Sequence, residues 1–214
     1  MPSDELIELW EKYQLGFQVE PWFNESSFPP EPGILLIRHG PRTSPDIPPL
    51  SAMLTLEGIK KCSNLGLRIR NHKPDIIYSS PVKRCLDTAF KILESANWDC
   101  KILESESLGH PGPFVIEKHS KDVRLLVDQS IEKDDWSFLQ EHISGIKEFK
   151  GMRNREEGTA FFLNSVISAD NNYIMCISHD SIIAAISASF GLGDDKWPEP
   201  LDGICIIPKE GFQW

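Results

Sequence analysis

Residues 34–37 read Ile-Leu-Leu-Ile, four apolar side chains in a row between Gly33 and Arg38. Neighbouring side chains of a strand point to opposite faces, so a run with no polar member demands cover on both faces. Such a segment belongs in the middle of a sheet clothed by helices. Comparable runs follow in DIIYSS (75–80), CKIL (100–103), YIMCIS (173–178) and GICIIP (203–208). Between them lie stretches of helical period: LTLEGIKKCSNLGLRIR (54–70), SPVKRCLDTAFKILESA (80–96), EEGTAFFLNSVISAD (156–170) and HDSIIAAISASFG (179–191). KDVRLLVDQSI and DWSFLQEHISGI (121–131 and 135–146) read as further helices. Thr55 is the expected N-cap of the first. Ser80 is the expected cap of the second, with Pro81 at its first helical position. Gly191 closes the last. Strands alternating with helices predict a three-layer α/β sandwich around a mostly parallel central sheet, with helices on both faces.

Residues 1–32 differ in texture. A short helix is expected over 4–14, and then FQVEPWFNESSFPPEPG brings four prolines and several aromatics. The expectation is an N-terminal arm without further regular structure, packed on the main domain (33–214) by Trp10, Phe17, Trp22 and Phe23.

The chain carries a formal net charge of −10. An acidic surface is a poor match for nucleic acid or anionic membrane, which are held by Lys and Arg. Five cysteines without a CxxC spacing suggest neither a disulfide framework nor a zinc knuckle. The start MPSDELIELW lacks a basic segment followed by an apolar one, and no apolar run approaches the ~18 residues of a membrane span. A cytoplasmic protein is expected.

On this acidic background the cations at the strand ends stand out. Arg38-His39-Gly40 follows ILLI, Ser79-Ser80 and then Arg84 follow DIIY, and Ser178-His179-Asp180 follows YIMCI. In open α/β sheets the ligand crevice lies at the carboxyl ends of the strands. Neighbouring strands would therefore bring together two histidines, Arg38, Arg84 and also Arg42. Like charges at ~4 Å repel by roughly 4 kcal/mol at an effective dielectric near 20. An anion between them removes that cost, and phosphate suits the forked donors of arginine. Gly40 would let backbone approach the ligand closely. A histidine among cations stays neutral and keeps a lone pair with which to attack phosphorus. The leaving alkoxide then needs an acid. Asp180 is the first candidate, and Glu104 and Glu106, after the CKIL strand, are the alternatives. His110, Glu117 and His119 do not make a convincing metal set, and no metal or cofactor is expected.

LLIRHG, LTLEGIKKCSNLG, DIIYSSPVKRCLDTA and CISHD together resemble the histidine phosphatase superfamily, the phosphoglycerate mutase-like fold, from Gly33 to about residue 207. The resemblance implies that His39 is the nucleophile and that Arg38, Arg84 and His179 hold the phosphate. RHGPR and HD resemble the acid phosphatase branch, as in its small bacterial members. That likeness implies Asp180 as proton donor and Arg42 as a further phosphate ligand. The mutase branch usually has Glu-Ser after RHG and Gly after the second His, where this chain has Pro41-Arg42 and Asp180. The implied activity is a phosphomonoesterase acting on a phosphorylated small molecule through a phosphohistidine. A phosphoprotein phosphatase, phosphohistidine proteins included, and an inactive phosphate-binding module are the alternatives.

Overall fold

The computed structural model describes residues 1, 3–43, 51–116, 120–193 and 197–213. Six strands form one sheet: β1 (Phe17–Trp22), β2 (Gly33–Arg38), β3 (Ile76–Ser79), β4 (Lys101–Glu104), β5 (Tyr173–Ser178) and β6 (Gly203–Pro208). Their order across the sheet is β1-β6-β2-β5-β3-β4. β2, β5, β3 and β4 run parallel, whereas β6 lies antiparallel to both β2 and β1. The sheet is thus mostly parallel, with one reversed strand inside it.

Every residue of β5 and the first five of β2 are buried, as continuous apolar runs require. Side-chain alternation sorts them into two cores. Ile34, Leu36, Ile174 and Cys176 pack on one face with Leu163 and Ile183. Leu35, Ile37, Met175 and Ile177 pack on the other with Leu65 and Ile92. The first core is covered by α1 (Ser3–Gly16), α6 (Arg155–Val166) and α7 (Asp180–Ser189), the second by α2 (Leu56–Ile69) and α3 (Lys83–Ala96). Two further helices, α4 (Ser120–Lys133) and α5 (Ser137–Ile143), lie between β4 and α6 in the chain. Thr55 caps α2, its side chain accepting from Gly58 N. The cysteines are all free thiols. Among the described residues no helix is long and apolar enough to cross a membrane.

Two local expectations need correction. Phe17–Trp22, expected to be irregular, is an edge strand paired with β6 from Phe17↔Pro208 to Trp22↔Gly203. Pro21 is compatible with that place because an edge strand need not donate from both sides. Ser80 does not cap α3, whose N-cap is Val82 with no side-chain cap bond. The helix begins two residues later than expected, and the Ser80 hydroxyl accepts from Val82 N at 3.3 Å besides meeting His179, as described below.

Candidate active site

Alternation along β2 carries on past its end. It sends Arg38 to the α7 side of the sheet and His39 to the α3 side. Arg38 Nη2 accordingly lies 2.8 Å from Asp180 Oδ2, on the first residue of α7. His39 Nε2 accepts from Arg84 Nε at 2.8 Å, on the second residue of α3. β5 repeats the pattern. Ser178 Oγ turns to one face and donates to Leu108 O at 2.7 Å. His179 turns to the other, where Arg84 Nη2 donates to its Nδ1 at 3.1 Å. β2 and β5 are direct neighbours, with Arg38 opposite Ser178. The two imidazoles therefore sit 5.5 Å apart, centroid to centroid, with planes inclined by 70°.

These partners fix where the ring protons are. His39 Nδ1 lies 2.8 Å from Gly40 O, which can only accept, so Nδ1 carries the hydrogen and Nε2 the lone pair. A guanidinium can only donate, so Nδ1 of His179 also holds a lone pair, and its Nε2–H donates to Ser80 Oγ at 3.1 Å. One guanidinium thus faces the free nitrogen of both rings.

His39 is buried, with 3% of its surface exposed. Burial is the main cause that lowers its pKa to about 3; the Gly40 hydrogen bond opposes this, and the charges of Arg84, Arg38 and Arg42 add to it. The sequence pointed to the cations as the cause, whereas desolvation is the larger one. His179 is held well below its ordinary value, by burial first and then by Arg84, His39, Arg38 and Arg42. Both rings are neutral bases at pH 7.

Arg38 is braced on all sides but one. Nη1 donates to Pro198 O at 2.9 Å and its backbone N to Asp202 O at 2.9 Å, while its own carbonyl accepts from Leu201 N at 3.1 Å. Its buried Nε finds no acceptor among the described residues. Arg42 forms an isolated bridge with Leu54, and its charge acts on both histidines. Asp180 uses Oδ2 on Arg38 and Oδ1 on Ser181 N at 2.9 Å. Glu104 ends the edge strand β4, and Glu106 opens the 3-10 turn Glu106–Leu108. Both are exposed, and the described hydrogen bonds of the histidines include neither carboxylate.

Gly40 has a packing reason besides the one expected. A Cβ there would lie 2.7 Å from Cys62 Sγ on α2, and its N–H is held by Thr88 Oγ1 at 3.0 Å. Ser80 and Gly109 were missed as partners of His179. Gly109 has φ +136°, and a Cβ on it would lie 2.5 Å from the His179 ring. Its only signal in the sequence was a Gly-His-Pro-Gly turn. His110 is exposed, while Glu117, His119 and residues 44–50 of the loop after Arg42 lie outside the described residues. Among the described residues no group of three or more His, Cys, Asp or Glu is placed to hold a metal ion.

The sheet thus brings a histidine, an arginine and a second histidine together at its carboxyl edge. The chain belongs to the histidine phosphatase superfamily: the family model for branch 1 of that superfamily matches residues 34–200. That match does not confirm the expected likeness to the acid phosphatase branch. Solved structures of the same fold include phosphoglycerate mutase from Bacillus anthracis str. Sterne, 14% identical over 83% of this chain and 90% of that one, with a TM-score of 0.56. Mycobacterial hydrolase 2 is 15% identical over 85% of this chain and 84% of its own, with a TM-score of 0.55. The alpha-ribazole phosphatase from Shigella flexneri is 16% identical over 78% and 86%, with a TM-score of 0.50. At such identities the likeness shows the fold. No curated protein matches the sequence.

Proposed function

We propose that this protein hydrolyses phosphomonoesters through a covalent phosphohistidine at His39. The observation that carries this reading is the single guanidinium of Arg84 shared by the lone-pair nitrogens of His39 and His179. That guanidinium, with the charges of Arg38 and Arg42 acting on both rings, supplies the positive field a tetrahedral anion would meet. Arg38, Arg42, Arg84 and His179 are the proposed phosphate ligands.

In the first step the Nε2 lone pair of His39 forms a bond to phosphorus as the bond from phosphorus to the alcohol oxygen breaks. The Nδ1–H bond to Gly40 O fixes the ring and stabilises the charge it acquires. The leaving oxygen takes a proton from Asp180. Substrate phosphate competes with Asp180 Oδ2 for Arg38. Water then attacks phosphorus, its proton returns to Asp180, and the bond from nitrogen to phosphorus breaks. The remaining demand is positioning and charge stabilisation, as in phosphoryl transfer generally.

Asp180→Asn tests the donor. It is expected to slow alkyl phosphates by about 10²- to 10⁴-fold while changing aryl phosphates with good leaving groups little. Equal loss on both classes would take the proton donor away from Asp180 and turn attention to Glu104 and Glu106. Wild-type enzyme given a ³²P-labelled ester and quenched in alkaline denaturant should retain base-stable, acid-labile label on His39. Turnover without label would exclude the covalent route. A panel of phosphorylated metabolites set against a phosphohistidine peptide decides between a small-molecule and a phosphoprotein substrate: we expect the larger kcat/KM on a metabolite.

A further inference from the structure

Ser80 is fully buried at the end of β3, with its Oγ 3.1 Å from His179 Nε2. Val82 N donates to the same oxygen at 3.3 Å, and Gly109 O lies 3.5 Å from it. The hydroxyl is thus tied into the backbone on two sides, and its place leaves a lone pair for the imidazole. Because Arg84 occupies Nδ1 of His179, the hydrogen on that ring is on Nε2 and Ser80 is its acceptor.

A phosphoryl oxygen between the two imidazoles reverses the requirement at Nδ1, which must then donate instead of accept. Two ways exist to meet it. The ring can move its one hydrogen from Nε2 to Nδ1, or it can gain a second. Resting on the phosphatase reading above, we propose that Ser80 is a positioning residue that holds the Nε2 hydrogen in place, so that His179 meets the phosphate as a doubly protonated imidazolium. The proton comes from the monoanion of the phosphomonoester, whose second ionisation lies near pH 6. The bond from hydrogen to phosphate oxygen breaks, a bond from hydrogen to Nδ1 forms, and a dianion paired with a cation results. The charge appears only when an anion is there to meet it.

The groups facing His179 suit this response. His39 and Arg38 approach from the end of β2, Arg42 from the loop beyond, Arg84 and Cys85 from α3, and Asp180 from its own helix. Burial first, and then the charges of the arginines, keep the ring neutral. A bound dianion offsets their charge and admits one more proton. The ring packs against Gly109, where a Cβ would lie 2.5 Å from it, so it cannot move to that side.

The test is ¹⁵N imidazole NMR of the wild-type protein, free and saturated with inorganic phosphate at pH 7. In the free protein His179 should show a bare Nδ1 and a protonated Nε2, and with phosphate both nitrogens should be protonated. A phosphate-bound ring that remains singly protonated would overturn the role of Ser80 while leaving the phosphate site standing. No response of either imidazole to phosphate would overturn both. Ser80→Ala should weaken phosphate binding by about 10- to 100-fold, the cost of a lost hydrogen bond to a charged group. Its phosphate-bound His179 should carry a single proton, and Ser80→Thr should restore the second. A purely structural role would lower the melting temperature of Ser80→Ala and leave the bound-state protonation as in wild type, which would overturn the proposal.

Discussion

His39→Ala is expected to lower kcat by at least about a thousandfold, because it removes the Nε2 lone pair proposed to form the bond to phosphorus. The variant should still fold: His39 stands at the end of β2, beyond the apolar members of both cores. It should also still bind inorganic phosphate, since Arg38, Arg84 and His179 are anchored by other contacts. Steady-state kinetics, a urea melt and a phosphate titration on the same preparation separate these outcomes. Turnover within tenfold of wild type would remove the covalent mechanism. Lost turnover together with lost phosphate binding would assign His39 to the cradle rather than to attack.

The second large effect concerns stability in acid. His39 has its pKa lowered to about 3, and His142, buried on α5 against Phe114 and Arg155, has its own lowered to about 4, chiefly by burial. In the unfolded chain each titrates near 6.5. Above that pH both states are neutral and the stability is full. Below it the unfolded chain takes up protons that the folded one refuses, so stability falls as pH falls toward the folded values. At pH 5 the loss is about 2 kcal/mol for each of the two residues. His179 acts in the same direction. Against a total of roughly 5–15 kcal/mol this is a large fraction. Urea melts should therefore lose stability steeply between pH 6.5 and 5. His142→Gln should flatten that slope, and added phosphate should oppose it by favouring charge on His179. Equal stability at pH 7.5 and 5 would show that the buried rings are charged in the folded protein.

Much of this arrangement was legible before any coordinates. ILLI and YIMCI announce two central strands because an uninterrupted apolar run has no solvent face to offer. That the residues after them meet at the carboxyl edge followed only if those strands were neighbours, as the pairing of β2 with β5 shows them to be. β1 was not legible, since Phe17–Trp22 buries only its ends and contains Pro21, which erases the period-two signal. Its pairing with β6 is a long-range choice that local sequence does not encode. Ser80 was misread for a related reason. Its oxygen serves both Val82 N close by and His179, 99 residues away, and local sequence announces only the first. The Arg38–Asp180 ion pair is equally remote in sequence, although the alternation that brings it about is local.

The reversed strand has a bearing on how the chain is assembled. β1 pairs with β6 alone, and β6 follows every other strand in the chain. During synthesis the residues of β1 therefore leave the ribosome early and wait for their neighbour. The segment that completes the sheet also supplies Pro198, Leu201 and Asp202, which pin both the main chain and the guanidinium of Arg38. The braces of Arg38 thus form only once β6 and the segment before it have joined the sheet.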